Sequence, residues 1–358
     1  MIGEMRLRDR DDGERGRVEE DGNLDRAPAP IARESAVQLR ALFAGEMAPF
    51  GDLPAAGGGE PWADVRSGAN SCAAAVGNGS ANDYPALSCQ ISYMGSTYAG
   101  GLVYLPCGNY NLNGHTLSVL PGVILQGESR ACTIVKNTTD VTVIAFPISA
   151  GGNDYNGFRD LTVEGNLTPG ATQDVVTIGN NSATFLRDFS IYGGHYALNN
   201  CGVDGTVENG YVSGYSGGLH SCGANWYLRV KFDGPYGIGV ATTYAYFQAQ
   251  PFAGATSAEN HFVMCDFSGT WTDSVDIADT TSATITQFEG SVFAATISLT
   301  SGQQGFVNNE LGAGIGFAIG ASATTIVSSN LVLSGTLTLS NSGTLKCGVN
   351  SGITNSGC

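Results

Sequence analysis

Two acidic residues, Asp273 and Asp276, stand three positions apart and could do acid–base chemistry. Glycoside hydrolysis needs such a pair, because one carboxyl group protonates the leaving oxygen while the other activates water or attacks the sugar. The distance between the carboxyl groups separates inverting from retaining chemistry, and the sequence does not supply it. Acids on a solvated surface show the same spacing, so a surface role is the alternative.

His220 and Asn199 are polar residues that could assist such a pair. A histidine titrates near neutral pH and can exchange a proton with a substrate, and an asparagine amide both donates and accepts hydrogen bonds. An exposed histidine without a role is the alternative for His220. Elimination from a uronate would need a cation beside the base. Lys and Arg are scarce, which favours hydrolysis over lyase chemistry.

Aromatic residues lie close to these candidates in the sequence and could hold a sugar, because aromatic rings offer large, rigid apolar faces to its C–H groups. The predicted substrate-binding rings are Trp271, Tyr236, Tyr244 and Tyr246. The last two belong to a long segment, 242–259, that we interpret as an insertion between two repeats. The alternative is that these rings fill a loop or a subunit interface.

Composition argues against several classes of function. The net charge is −16, and residues 51–358 hold 8 basic against 21 acidic residues, a net of −13. Such a surface repels nucleic acid. The sequence has no run of 18 apolar residues, so no membrane span is predicted. We find no motif for a metal or a cofactor and predict neither.

The chain has nine cysteines, an odd number. Most are expected to be small buried core residues. Cys201 and Cys222, 21 positions apart, could form a disulfide between neighbouring repeats or remain stacked thiols.

The candidates need a scaffold, and internal repetition predicts one. Leu186, Val207 and Leu228 recur every 21 residues. Later, Ile285, Phe306, Ile326 and Leu345 recur at intervals of 21, 20 and 19. A period near 20 that holds three short strand-like segments is typical of one turn of a β-solenoid. Successive turns would stack at the ~4.8 Å spacing of paired strands.

One strand of each turn carries the candidate site residues. We assign this third strand to residues 175–179, 197–201, 218–222, 237–241, 275–279, 296–300, 316–320 and 337–341. Because side chains alternate between the two faces of a strand, those predicted to face outwards are Thr177, Asn199, His220, Gly239, Asp276, Ser298, Ala318 and Thr338. This places His220 two turns, or roughly 10 Å, from Asp276. A shift of one residue in the register of the strands would place every side chain on the opposite face.

Charged residues also repeat on an earlier strand of the turn. Arg159, Arg187, Glu208 and Arg229 occupy one position in successive repeats. They predict a surface charge ladder in which each ion pair adds little stability. The next column, Asp160, Asp188 and Asn209, is typical of turns.

Four segments near the start of the repeats carry a specific signature: ADVR from residue 63, NDYPALSCQI from 82, GGLVYLPCGNYNLNG from 100 and LPGVILQGESRACTIV from 120. Over residues 63–165 the chain resembles the pectate-lyase-like superfamily, which includes phage tailspikes and relatives of plant polygalacturonases. The resemblance implies an all-β, right-handed, single-stranded parallel β-helix whose third strands often carry the active groove on their outer face. The family usually has two acids where this chain has Asn82-Asp83.

The segment after Asn82 predicts a helix that caps the open end of the solenoid. Asp83 is a suitable N-cap residue, and Leu87, Ile91 and Met94 form an apolar stripe at helical spacing.

The chain divides into three predicted parts. Residues 1–50 form an N-terminal anchor with a short amphipathic helix, 51–61 a Gly/Pro linker, and 62–358 the β-helix domain. Within that domain, 62–135 are the capping module and 311–358 the C-terminal turns. The N-terminus has no apolar segment typical of a signal peptide, which favours synthesis in a host cytoplasm and location in a virion.

These patterns predict a phage tailspike or related virion protein that recognises host surface polysaccharide. We expect residues 1–50 to bind a tail or capsid protein and, from the resemblance, the chain to form a homotrimer. Cleavage of the glycan by hydrolysis stays open at this point. The alternatives are a non-catalytic structural or adhesive β-helix of the virion and a free polysaccharide hydrolase or lyase.

Overall fold

A computed structural model describes residues 62–147, 154–168, 170–234, 243–248, 259–278, 285–312, 315–332 and 338–348. The predicted anchor, its helix and the linker lie outside these residues. The described chain forms a parallel β-helix, as the repeats predict. Each full turn adds one strand to each of three sheets, and all neighbouring strands are parallel.

The strands of the first sheet are β1 (Trp62–Asp64), β3 (Gly101–Leu105), β6 (Val123–Gly127), β9 (Gly157–Arg159), the first part of β12 (Phe185–Tyr192), the first part of β14 (Val203–Ser213), β16 (Ala224–Leu228), β19 (Glu259–Val263), β22 (Ile285–Glu289), the later parts of β24 (Thr296–Val307) and β26 (Gly316–Ser328), and β29 (Thr344–Cys347).

The second sheet continues from the first after a tight bend. Its strands are β2 (Asn78–Asn82), β4 (Gly108–Asn111), β7 (Thr133–Lys136), β10 (Thr162–Glu164), the later parts of β12 and β14, β17 (Lys231–Phe232), β20 (Asp266–Phe267), β23 (Val292–Phe293), β25 (Glu310–Leu311) and β27 (Leu331–Val332).

The third sheet carries the predicted site. Its strands are β5 (Leu117–Ser118), β8 (Ile144–Phe146), β11 (Val176–Ile178), β13 (Tyr196–Asn200), β15 (Gly217–Ser221), β18 (Tyr244–Gln248), β21 (Asp273–Ile277), the first parts of β24 and β26, and β28 (Thr338–Asn341).

The interior of the first sheet is a column of stacked apolar side chains. Tyr227, Phe262, Phe288 and Phe306 follow one another in register and are buried. Consecutive ring centroids in this column are 4.6, 5.0 and 4.8 Å apart. Every turn must refill the same position in the core, and one ring per turn does so although these rings are 35, 26 and 18 residues apart in the sequence.

The register of pairing changes by one residue between β14 and β16. The 21-residue spacing therefore assigns Leu228 and Arg229 to the wrong columns. Val207 pairs with Tyr227, not Leu228, and Glu208 pairs with Leu228, because the ladder shifts between Val203 and Gly205. Arg229 therefore belongs to the bend, where its φ is 53°. The predicted charge column holds for Arg159, Arg187 and Glu208 only.

The bend between the first and second sheets uses left-handed backbone. Asp160, Asp188 and Asn209 have φ values of 56°, 50° and 53°, which confirms that this column forms turns. Asp and Asn adopt this conformation more readily than other residues with a side chain. In addition, the amide of Asn209 donates to the Asp188 carboxylate at 3.2 Å.

One helix, α1 (Tyr84–Tyr98), is found among the residues that the structure describes, and it lies over the first turn, as predicted. Leu87, Ile91 and Met94 are buried in the core. Asp83 is the N-cap residue, but its side chain forms no capping hydrogen bond. Its carboxylate instead accepts from the N–H groups of Val76, at 2.7 Å, and Gly77. This helix, the one in the described part of the chain, is too short and too polar to span a membrane.

Cysteines are mostly bonded in pairs, which corrects the expectation of buried thiols. The disulfides whose two cysteines are both described are Cys72–Cys89, Cys107–Cys132 and Cys201–Cys222. The last two link neighbouring turns, whose stacking brings the Cα atoms to 4.8 and 4.5 Å. Cys265 is a buried thiol, as expected.

Candidate functional site

Four consecutive strands of the third sheet share a pattern in which the first and fourth positions lie on the outer face, and only in β15 is the first position a glycine without a side chain. The segments are YALN in β13, GGLH in β15, YAYF in β18 and DSVD in β21. The first and fourth residues face outwards, while the third, Leu198, Leu219, Tyr246 and Val275, is fully buried. An irregularity after the first residue, seen between Asp273 and Val275, permits this arrangement.

The two acids therefore lie on one face: Asp276 as predicted, and Asp273 because the strand begins two residues earlier than the predicted 275–279. Asp273 is the first residue of β21 and Asp276 the fourth, and both are partly buried. Burial and then the nearby Asp273 charge raise the pKa of Asp276 to about 6. Burial also raises the pKa of Asp273. Two acids with elevated pKa values beside each other are typical of acid–base sites.

A row of rings leads away from the acids along the sheet. His220 lies between Tyr196 and Phe247, with ring centroids 5.2 and 5.5 Å apart and nearly parallel planes. Tyr244 contacts Phe247 at 5.3 Å. Phe247 pairs with Asp276 and Tyr244 with Asp273 in the next turn. The row thus ends at the two carboxyl groups.

Burial favours the neutral form of the His220 ring. Burial lowers the pKa of His220, and the partner charges do not overcome that effect. It is therefore a neutral ring that can accept a hydrogen bond or pack against a sugar.

Asp174 anchors the far end of the row. It accepts hydrogen bonds from the Asn199 amide at 2.7 Å and the Tyr196 N–H at 3.0 Å, and His195 Nδ1 lies 3.4 Å away. Burial alone would raise the pKa of Asp174, but the hydrogen bonds from His195, Asn199 and Tyr196 lower it below the usual value. The side-chain amide of Asn199 is therefore occupied by its hydrogen bond to Asp174. Asn199 lies three turns from Asp276.

The structure corrects the predicted outward column at two turns. Residues 237–241, including Gly239, lie outside the described residues, and Tyr244–Gln248 occupies the third-sheet position. The residue between His220 and Asp276 is therefore Phe247. The two-turn separation of His220 from Asp276 is unchanged. In the last turn, Ser340 rather than Thr338 pairs with Ala318.

The sugar-binding role predicted for two of the rings is wrong, because both rings are buried in the core. Tyr246 is fully buried and donates a hydrogen bond to Gln248. Trp271 is 5% exposed, and its indole N–H donates to the Phe232 carbonyl at 3.1 Å. Tyr244 faces outwards, and Tyr236 lies outside the described residues.

Sequence reasoning missed Tyr196, Phe247, His195 and Asp174. An alignment of YALN, GGLH, YAYF and DSVD would have found the first two. The 27- and 29-residue intervals between the last three segments hide it. No spacing rule connects Asp174 or His195 with the face, because both precede their strands.

This face combines a proton donor, a second carboxyl group and a row of rings, which suits cleavage of a sugar chain. Its strands contain no Lys or Arg. Among the described residues, no group of three His, Cys, Asp or Glu side chains could hold a metal ion.

Solved structures show the same architecture. The A-module of a mannuronan C-5 epimerase from Azotobacter vinelandii superimposes with a TM-score of 0.58 at 13% identity, covering 83% of this chain and 98% of that chain. The ORF18 protein of Geobacillus virus E2 gives a TM-score of 0.56 at 15% identity, covering 82% of this chain and 61% of that chain. The chain has the right-handed parallel β-helix fold. No protein-family model and no curated protein sequence matches it.

Proposed function

We propose that the protein binds a polysaccharide along the third sheet and hydrolyses it at Asp273 and Asp276. In this proposal Asp276 protonates the glycosidic oxygen, and Asp273 activates the attacking water. The ring row of Tyr196, His220, Phe247 and Tyr244 carries the adjoining sugars.

The observation that carries the proposal is the placement of two partly buried carboxyl groups, Asp273 and Asp276, on one strand at the end of the ring row. In this setting burial and then the Asp273 charge raise the pKa of Asp276 to about 6. An ordinary aspartate, with a pKa near 3.9, holds almost no proton at pH 6, whereas Asp276 is about half protonated there. A general acid works best when its pKa is close to the working pH. Partial burial of the two acids in one face is the physical cause of that elevation.

The position of the acids on one strand favours inversion of the anomeric centre. Three residues at ~3.3 Å each separate the two Cα atoms by up to about 10 Å. Inverting enzymes hold their carboxyl groups about 6.5–9.5 Å apart to admit a water molecule, against about 5–5.5 Å in retaining enzymes. The wider spacing fits the strand geometry better.

We further propose that the glycan is a host surface polysaccharide and that the protein is a virion spike. In support, the signature over residues 63–165 resembles phage tailspikes, and a fold neighbour is a protein of Geobacillus virus E2. Residues 1–50 would attach to a tail or capsid protein, and the spike would be a homotrimer. Deletion of residues 1–50 should then abolish incorporation into virions while glycan binding persists.

A free extracellular hydrolase is the second candidate, and the disulfides favour it. Disulfides persist in oxidising surroundings outside the cytosol. A bond such as Cys201–Cys222 would suit an enzyme that works there without a particle. Detection of the chain in culture medium, but not on purified virions, would select this candidate.

The test of hydrolysis is incubation with surface polysaccharides from candidate hosts. Polymer size, reducing ends and the absorbance of unsaturated uronates are followed for the wild type, Asp276→Asn and Asp273→Asn. Asp204→Asn is the matched control, because Asp204 is exposed and lies at the irregularity near the start of β14, where its left-handed φ of 55° tolerates Asn.

We expect shorter chains with new reducing ends and no unsaturation. Each site variant should lose at least about 100-fold in rate, since general acid–base catalysis contributes 10²–10⁴-fold. The control should keep full activity. Unsaturated products would make the protein a lyase and refute the roles of both acids. Binding without shortening would leave a non-catalytic adhesin.

A further inference from the structure

A second groove, of about 870 Å³, runs along the outer face of the second sheet, away from the third-sheet site. We call it the tyrosine groove; its lining includes Arg130, Asp188, Tyr192, Tyr211, Arg229 and Lys231. Its volume falls within the ~300–1,000 Å³ range of ligand pockets.

Small side chains create the floor of the groove. Ile134, Thr162, Ser190, Tyr211 and Lys231 pair in succession across five turns. At ~4.8 Å per turn this row is roughly 19 Å long. Thr162 and Ser190 in its middle, and Gly210 beside it, leave room between the larger residues at the ends. The groove is thus elongated, which suits a chain rather than a compact molecule.

Two tyrosine rings supply a platform in the groove. The ring centroids of Tyr192 and Tyr211 are 5.2 Å apart with planes tilted by 45°. The hydroxyl of Tyr211 donates to the Asp233 carboxylate at 2.7 Å, which fixes the orientation of that ring. Both side chains are partly exposed. Adjacent aromatic faces of this kind pack against the C–H side of pyranose rings.

Cations gather here although the body of the protein is acidic. Residues 51–358 contain 8 basic and 21 acidic residues, yet Arg130, Arg229 and Lys231 all line this groove. Arg229 pairs with Glu208, and Lys231 lies 3.5 Å from Asp233. Arg130 donates to the Asn209 carbonyl at 3.3 Å and forms no ion pair with any described residue. Its charge remains available to an anionic ligand.

Acids in the same groove restrict what that anion can be. Glu164 and Asp188 line the groove beside the cations. Carboxylates accept hydrogen bonds from sugar hydroxyls but repel a densely charged polyanion. A neutral glycan, in turn, would leave the charge of Arg130 without an anionic partner.

We propose that the tyrosine groove binds an acidic oligosaccharide, with a uronate carboxylate on Arg130 and Lys231, hydroxyl groups on Asp188 and Glu164, and a pyranose ring on Tyr192 and Tyr211. This binding site lies on a different sheet from Asp273 and Asp276 and needs no cleavage there. It would hold a chain of acidic glycan on the protein while the third sheet acts on another part.

The test is calorimetric titration of the full chain with hexamers of galacturonate, glucuronate and mannuronate. A neutral glucose hexamer and inorganic sulfate are titrated in parallel. The variants are Arg130→Gln and Tyr192→Ala, with Lys346→Gln as the matched control because Lys346 is exposed and distant from the lining residues. Asp276→Asn separates this groove from the third-sheet site. Circular dichroism confirms that each variant is folded.

We expect at least one uronate hexamer to bind, and neither the glucose hexamer nor sulfate to match it. Arg130→Gln should weaken that binding about tenfold or more, because it removes a charge-assisted contact. Tyr192→Ala should weaken it about threefold to tenfold. Lys346→Gln and Asp276→Asn should leave it unchanged.

Three results would overturn the inference. The first is no binding of any uronate hexamer. The second is equal binding of the glucose hexamer or sulfate. The third is loss of uronate binding in Asp276→Asn with no change in Arg130→Gln, which would move the ligand to the third sheet.

Discussion

The outer faces of the second and third sheets use the same backbone for opposite chemistry. The strands from β11 to β21 on the third sheet have no Lys or Arg, and their two acids have raised pKa values. The tyrosine groove instead carries three cations, and the carboxylate beside it, Glu208, is ion-paired to Arg187 and Arg229. One face therefore favours a carboxyl group that keeps its proton, and the other favours a bound anion.

The difference shows how a solenoid separates fold from function. Inward positions such as Leu198 and Leu219 repeat because every turn must fill the core. Outward positions in the same strands, such as Asn199, His220 and Phe247, carry no such constraint. Each outer column can therefore change its chemistry without a change in the fold.

The largest effect we expect is the loss of hydrolysis at high pH. The acid form of Asp276 is the active one, and with a pKa of about 6 it disappears as the pH rises. The rate should fall about tenfold per pH unit above pH 6, a 100-fold loss by pH 8. The measurement is the pH–rate profile, with Asp204→Asn as the control. A rate that stays flat to pH 8 would exclude Asp276 as the general acid.

Removal of the Glu208 charge, beside the tyrosine groove, should have a smaller effect, a loss of stability. Glu208 is 7% exposed and holds Arg187, at 3.4 Å, and Arg229. Glu208→Gln should lower the free energy of unfolding by about 1–2 kcal/mol, since a buried charged partner is lost. Denaturant unfolding measures this.

The control for that variant is Glu289→Gln, which alters a glutamate that forms no ion pair with any described residue. Hydrolysis should be unaffected by either change. A loss of hydrolysis in Glu208→Gln at unchanged stability would show that the two faces are coupled.

The fold followed from the sequence because the core repeats. Leu186 and Val207 pair in register, and the helix with Leu87, Ile91 and Met94 buried caps the first turn. The site was only partly predictable. Asp276 and His220 lie on the expected face and Asp273 joins them there, but Tyr246 and Trp271 lie in the core. The periodicity of apolar residues predicts which positions are buried. The prediction becomes wrong where long connections change the number of residues per turn.

One extra residue in a strand also makes a prediction from periodicity wrong, and Arg229 is the example. Its 21-residue spacing from Glu208 suggests the same column, yet a register shift near Val203 moves it into the bend. A one-residue shift reverses the face of every side chain that follows. No local pattern in the sequence marks such a shift.

The smallest effect we expect is a gain of stability in Asp276→Asn at high pH. The folded pKa of about 6 exceeds the ordinary 3.8, so the charged form destabilises the fold above pH 6 and has no such effect below pH 3.8. The variant should gain about 1 kcal/mol at pH 8, after allowance for solvent screening, and nothing at pH 3.5.

Thermal or denaturant unfolding at the two pH values checks this, with Asp204→Asn as the control. An equal change at both pH values would show that the carboxyl group of Asp276 titrates normally. The local environment of the third sheet would then not supply a general acid.

A crystal structure of Asp276→Asn with the shortest oligosaccharide that the protein binds tests the central claim most directly. We predict a sugar chain on the third sheet, stacked on Tyr244 and Phe247, with a glycosidic oxygen within hydrogen-bonding reach of residue 276 and space for water beside Asp273. A glycan located only in the tyrosine groove, or one that passes the third sheet without approaching residues 273 and 276, would contradict it.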